Sequence, residues 1–190
     1  MSKIRVTLTC LIATIVLLSP LAAEASEERM ILQVYGEGRA KTRMIWSPDG
    51  MVEATCFAVD LKDVTTGEIV GRARDCLSDI EAVDSEGPSL ALTGTTFFLF
   101  DDGDRIVARG RTSVQPKTTT NTNEITHITG AIPSADDANN AGFGVIARLG
   151  RGAYAGISGG ARLSGAVNLS KLDSEGKISF DCIFILILDT

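Results

Sequence analysis

From Met30 onward, apolar residues recur at every second position or in short unbroken runs rich in Val, Ile, Thr and Phe, each closed by glycine, proline or aspartate. A period of two sends alternate side chains to opposite faces of a strand, and no stretch here keeps a helical spacing for long. The fold class expected is therefore all-β. Strands are predicted at 30–35, 51–61, 68–77, 90–100, 105–114, 125–132, 143–149, 161–169 and 177–188, with an irregular part over 36–50 around Gly36, Gly38 and Ser47-Pro48-Asp49-Gly50. About eight or nine short strands at this spacing suit an up-and-down barrel or a sandwich, and closure into a barrel leaves no free edge.

Turn chemistry supports the pairing of neighbours. Asp63-Val64-Thr65-Thr66-Gly67-Glu68 reads as a hairpin in which Gly67 takes a positive φ. A loop at Thr65-Thr66-Gly67 would set Cys56 opposite Cys76. Asp101-Asp102-Gly103-Asp104 could offer oxygens to calcium, but a calcium loop presents more ligands at defined spacing, and Asp-Gly is a common turn pair. The turn reading is preferred. In the strand that follows, Arg105, Val107, Arg109 and Arg111 share one face, expected to be wet, while Ile106, Ala108, Gly110 and Thr112 share the other. The final strand is apolar on both faces beyond Asp181, as expected of a strand covered on both sides. Residues 116–124 and 133–140 read as polar loops.

The first 25 residues carry a different message. Lys3 and Arg5 precede an apolar run at 6–18, then Ser19-Pro20 and the small-residue site Ala23-Glu24-Ala25, the three parts of a cleavable export signal. The run is shorter than the roughly 20 residues that span a bilayer, and the residues before Cys10 do not form a lipobox. The organisation expected is a signal peptide at 1–25, an N-terminal strand and irregular segment at 26–50, and a β-barrel domain at 51–190 to which 30–35 can add a strand. The location expected is secreted or periplasmic, with no membrane contact once the signal is cleaved.

The chain has a net charge of -6, slightly more negative without Lys3, Arg5 and Glu24. An acidic domain lacking a basic stripe repels phosphate backbones, so nucleic acid is not an expected partner. His127 is the single histidine; it excludes a metal site built on paired imidazoles, and no serine or cysteine nearby makes a nucleophile pair with it. No cofactor is expected. Cys56, Cys76 and Cys182 would remain after cleavage, an odd number that leaves one thiol over, and all three could equally be small buried core residues.

Glycines crowd the segment Gly150-Arg151-Gly152-Ala153-Tyr154-Ala155-Gly156-Ile157-Ser158-Gly159-Gly160-Ala161-Arg162-Leu163-Ser164-Gly165. A phosphate-binding glycine loop must join a strand to a helix, and this one lies between strands. The order instead resembles the G-x-G-x-[FY]-x-G-x-x-G-x-x-R-L-S-G pattern of allene oxide cyclase barrel-like and dirigent-like proteins, especially exported bacterial members. Gly71-Arg72-Ala73-Arg74-Asp75-Cys76-Leu77, Thr95-Thr96-Phe97-Phe98, Arg109-Gly110-Arg111-Thr112-Ser113-Val114-Gln115, Thr126-His127-Ile128-Thr129-Gly130-Ala131-Ile132 and Ile178-Ser179-Phe180-Asp181-Cys182 are similar to that group in the same order. The resemblance spans residues 70–188. It implies an eight-stranded antiparallel β-barrel with an apolar cavity, often a homo-oligomer. It also implies, from the two Asp-Cys steps, a Cys76–Cys182 disulfide with Cys56 free; the hairpin pair Cys56 and Cys76 is the alternative.

The function expected is a secreted barrel that binds a small apolar molecule or serves a structural role. The alternative is a cofactor-independent isomerase or cyclase, or a dirigent-type guide, acting on an apolar substrate in the cavity. No catalytic constellation is visible in the sequence, and Arg109, Glu124, Tyr154 and Arg162 are the polar residues to test first. The barrel interior discriminates: a buried carboxylate beside apolar walls favours catalysis, an apolar cavity without ionisable groups favours binding, and a filled interior sinks both.

Overall fold

In a computed structural model of the chain, the described residues are 27–82, 90–116, 125–131, 144–146 and 149–189. The expected signal peptide, Cys10, Glu124 and most of the two polar loops lie outside them. The strands are β1 (Glu27–Arg39), β2 (Lys41–Ser47), β3 (Gly50–Asp63), β4 (Ile69–Ala82), β5 (Leu90–Phe100), β6 (Arg105–Pro116), β7 (Ile125–Ala131), β8 (Gly144–Ile146), β9 (Ser158–Asn168) and β10 (Lys177–Asp189), with one short helix, α1 (Leu172–Glu175). No helix among the described residues is long and apolar enough to cross a membrane.

All pairings are antiparallel, and the wall runs β1, β10, β9, β7, β6, β5, β4, β3. It closes where Leu32–Tyr35 of β1 meet Asp60–Asp63 of β3. β7 and β8 share one wall position, β7 pairing with Ser113–Pro116 of β6 and β8 with Ala108 and Arg109, both against β9. The result is an eight-stranded, nearly closed antiparallel barrel, as the resemblance implied, where the strand spacing leaves a sandwich equally open. β2 lies outside this ring, on the first half of β3.

Local chemistry explains the hairpins. Asp63 Oδ1 accepts the N–H groups of Thr65 at 2.6 Å and Thr66 at 3.1 Å, and Gly67 takes φ 74° as the chain returns. The turn pairs Lys62 with Ile69, and an irregularity between Leu61 and Lys62 then shifts the ladder by one residue, so that Cys56 comes to face Cys76. At the β5–β6 turn, Asp104 N–H donates to Asp102 Oδ1 at 2.9 Å and Gly103 has φ 93°.

Two readings of the sequence change. The irregular part at 36–50 contains β2, joined to β3 through Pro48-Asp49. Its alternation is faint because Met44 and Trp46 are apolar yet 57% and 42% exposed, and only β3 beside it supplies the missing hydrogen bonds. β10 is not covered on both sides either. Ile178, Phe180, Cys182, Phe184, Leu186 and Leu188 are buried inside, whereas Ile183 on the outer face is 40% exposed.

The inward side chains pack unevenly along the barrel axis. At the end near the β5–β6 turn, Leu32, Leu61, Phe98, Ile106, Leu186 and Leu188 fill the interior, each such side chain stabilising by about 1.5–3 kcal/mol. Phe98 and Phe184 meet edge to face at 5.1 Å between centroids. Towards the other end the inward positions of β5 and β6 shrink to Gly94, Gly110 and Thr112, and the packing leaves space.

Candidate functional site

That space is a cavity of about 140 Å³, walled by inward residues of β4, β5, β6, β9 and β10. Its sides are hydrocarbon: Leu77 of β4, Leu90 and Leu92 of β5, Val114 of β6, Leu163 and Val167 of β9, and Phe180 of β10. Phe184, held by Phe98, contributes at its deep end. Leu172 of α1 reaches it from the β9–β10 connection. Here Glu37 receives Lys171 Nζ at 2.8 Å and Lys177 Nζ at 3.0 Å, and Lys177 also reaches Glu175 at 2.7 Å.

At the β4 rim an irregularity falls between Ser78 and Glu81, where Asp79 takes φ 51°. A bulge of this kind re-aims side chains. It sets Ile80 on the lining while leaving that residue 54% exposed.

Asp75 stands on this lining with a carboxyl group in mainly hydrocarbon surroundings. The residue is 8% exposed and opposite Phe57 of β3 and Thr96 of β5. Thr96 Oγ1 donates to Asp75 Oδ1 at 2.7 Å, the one side-chain hydrogen bond that reaches this carboxyl among the described residues. Burial pushes the carboxyl up from its ordinary 3.8 to about 6, the Thr96 bond opposing this only in part. Thr112, 7% exposed, also lines the cavity, and its Oγ1 has no hydrogen-bond partner among the described residues.

Neither residue was singled out from sequence. Asp75 had been noted only as the neighbour of Cys76. The available signal was its parity: Ala73, Asp75 and Leu77 share the inward face of a strand whose other residues, Arg72 and Arg74, are polar.

Of the four residues proposed for testing, Arg162 is on the cavity lining, as an exposed side chain between inward Ala161 and Leu163. Arg109 lies on the outer face, donating to Thr95 Oγ1 at 2.6 Å with Asp79 at 3.8 Å. Tyr154 packs on Phe100 at 5.7 Å, near the β5–β6 turn rather than the cavity, and burial together with Glu28, Asp104 and Asp102 raises its pKa. Glu124 lies outside the described residues. The expected wet face of β6 is only partly so, since Val107 is fully buried beside its partner Phe97.

The Cys76–Cys182 disulfide implied by the resemblance is corrected. Cys56 and Cys76 form the bond, their Cα atoms 4.0 Å apart across the β3–β4 hairpin. Both point outward, into a small cluster with Ile45 and Ala54. Cys182 points into the barrel, its thiol 3.6 Å from the Ala166 carbonyl, so the wall separates it from Cys76. Burial, and then the nearby Asp75, push its thiol up to about 12.

The outer surface also departs from the acidic average. Arg39, Lys41, Arg43, Arg72 and Arg74 gather around one hollow on β1, β2 and β4; Asp60 lies 3.7 Å from Arg72, and Arg74 stacks over Phe97 at 5.8 Å. No protein-family model matches this chain, and no curated protein matches it. The antiparallel barrel with a carboxyl in its cavity is thus the firmest description of the molecule.

Proposed function

We propose that this protein is an exported barrel that binds a small, mainly apolar molecule inside its wall. The observation that carries the reading is the cavity of about 140 Å³ between Phe184 and the rim at Ile80. A dry, apolar cavity of about 150 Å³ suffices for a single aromatic ring, so the ligand would be of that order unless the wall yields. The export signal supports a secreted or periplasmic location, and the glycine-rich pattern supports kinship with allene oxide cyclase-like or dirigent-like barrels. The test is native mass spectrometry of the purified protein, followed by titration with one-ring hydrocarbons. An Ala108→Leu variant, which fills the cavity, should keep its fold and lose binding. Equal binding by that variant would place the ligand elsewhere.

A second reading, a cofactor-independent isomerase or cyclase, is favoured by Asp75, the buried carboxylate beside apolar walls expected to mark catalysis. It is placed second because the other polar side chains on the lining among the described residues are only Thr96, Thr112 and Arg162. A carboxyl buried against hydrocarbon and titrating near 6 can hold or release a proton at neutral pH. Such an activity would incorporate solvent deuterium into a captured ligand. Incorporation that persists in Asp75→Asn would exclude this residue as the proton carrier.

A further inference from the structure

Among the described residues the cavity lining carries one anion, Asp75, and no cation is paired with it. Asp75 receives one side-chain hydrogen bond among the described residues, from Thr96. Phe57 of β3, Thr96 of β5 and Ala108 of β6 face it without charge, Cys182 of β10 is a neutral thiol, and Arg162 of β9 stands at the lining as an exposed residue. An ionised carboxylate in such surroundings is costly unless a partner charge comes close, and no cation among the described residues acts on Asp75. Hydrocarbon walls select an apolar body. The carboxylate selects a donor, and its charge selects a cationic one over a neutral hydroxyl. The unpartnered Thr112 hydroxyl independently marks the same cavity as built for a ligand with polar character.

We propose that the cavity takes a small apolar amine, its protonated nitrogen bonded to Asp75 and its hydrocarbon part against β5, β6 and β10. This rests on the reading that the barrel binds an apolar molecule, and it adds the chemical class.

The probes are benzylamine and its neutral analogue ethylbenzene, titrated calorimetrically into the purified protein and its Asp75→Asn variant, with circular dichroism confirming the fold. At about pH 7.5 the amine should bind roughly tenfold or more tightly than the hydrocarbon. That advantage should vanish in Asp75→Asn, and should shrink towards about pH 5 in the unaltered protein as Asp75 takes up a proton. If the variant does not fold, the pH series decides alone. Equal binding of both probes overturns the amine proposal and leaves the apolar-binding reading standing. An advantage that survives Asp75→Asn, or that does not change with pH, overturns it as well, because the cation would then be held elsewhere. Binding of neither probe overturns the apolar-binding reading, and this proposal with it.

Discussion

Thr96 donates its hydroxyl proton to Asp75 at 2.7 Å across the β4–β5 pair, on the inner face of the barrel. The bond ties a charge to a wall that is mainly hydrocarbon, and the carboxyl still titrates near 6. Desolvation therefore outweighs the hydrogen bond.

The stability of the protein should consequently depend on pH in a direction opposite to that of a salt-bridged carboxylate. With the folded-state value near 6 and the ordinary value at 3.8, the folded state binds more protons than the unfolded state between them. Stability contributed by the neutral acid is present at low pH and is lost as pH rises from about 4 to about 6, by on the order of 3 kcal/mol. Asp75→Asn keeps an acceptor for Thr96 and removes the charge. Urea unfolding should show the variant gaining stability at neutral pH and not below about pH 4.

Reduction or replacement of the Cys56–Cys76 bond should destabilise the barrel without opening its interior. The bond closes a separation of 20 residues, for which loop entropy gives roughly 3 kcal/mol. A Cys56→Ser/Cys76→Ser double variant should lose about that much in chemical denaturation. Non-reduced peptide mapping should recover Cys56 linked to Cys76. Cys182, 2% exposed, should resist alkylation until the protein unfolds.

Gly165 marks a place where the barrel allows no side chain. A Cβ there would run into the Asp181 carbonyl and the Cα of Cys182 on β10, and backbone cannot step aside as a side-chain tip can. Gly165→Ala should cost about 1–3 kcal/mol by thermal or urea unfolding, with no rescue from shortening Cys182.

Arg109 separates wall from cavity. Its side chain is 13% exposed and bonded to Thr95 on the outer face. Arg109→Gln should cost on the order of 1 kcal/mol while leaving capture of an apolar ligand unchanged. A loss of binding at constant stability would mean that this arginine acts on the cavity.

Much of the wall was legible from local chemistry alone. The strand 90–100 was anticipated with the bounds of β5, and the hairpin at Asp63 to Glu68 was too, although the facing of Cys56 and Cys76 also needs the irregularity between Leu61 and Lys62. Period-two patterning and turn residues act over a few positions, so the sequence by itself determined an all-β chain, two of its hairpins and the division of faces along the strand 105–114. Long-range relations were not available in that way. That Glu27–Arg39 seals the ring, that the run at Lys41–Ser47 is a strand, and that Cys182 faces inward all depend on pairings between distant segments. The same holds for Asp75. Its charge reads as surface in one dimension, and only the closure of the wall, with small residues opposite it on β5 and β6, turns it into the buried carboxyl of a mainly hydrocarbon cavity.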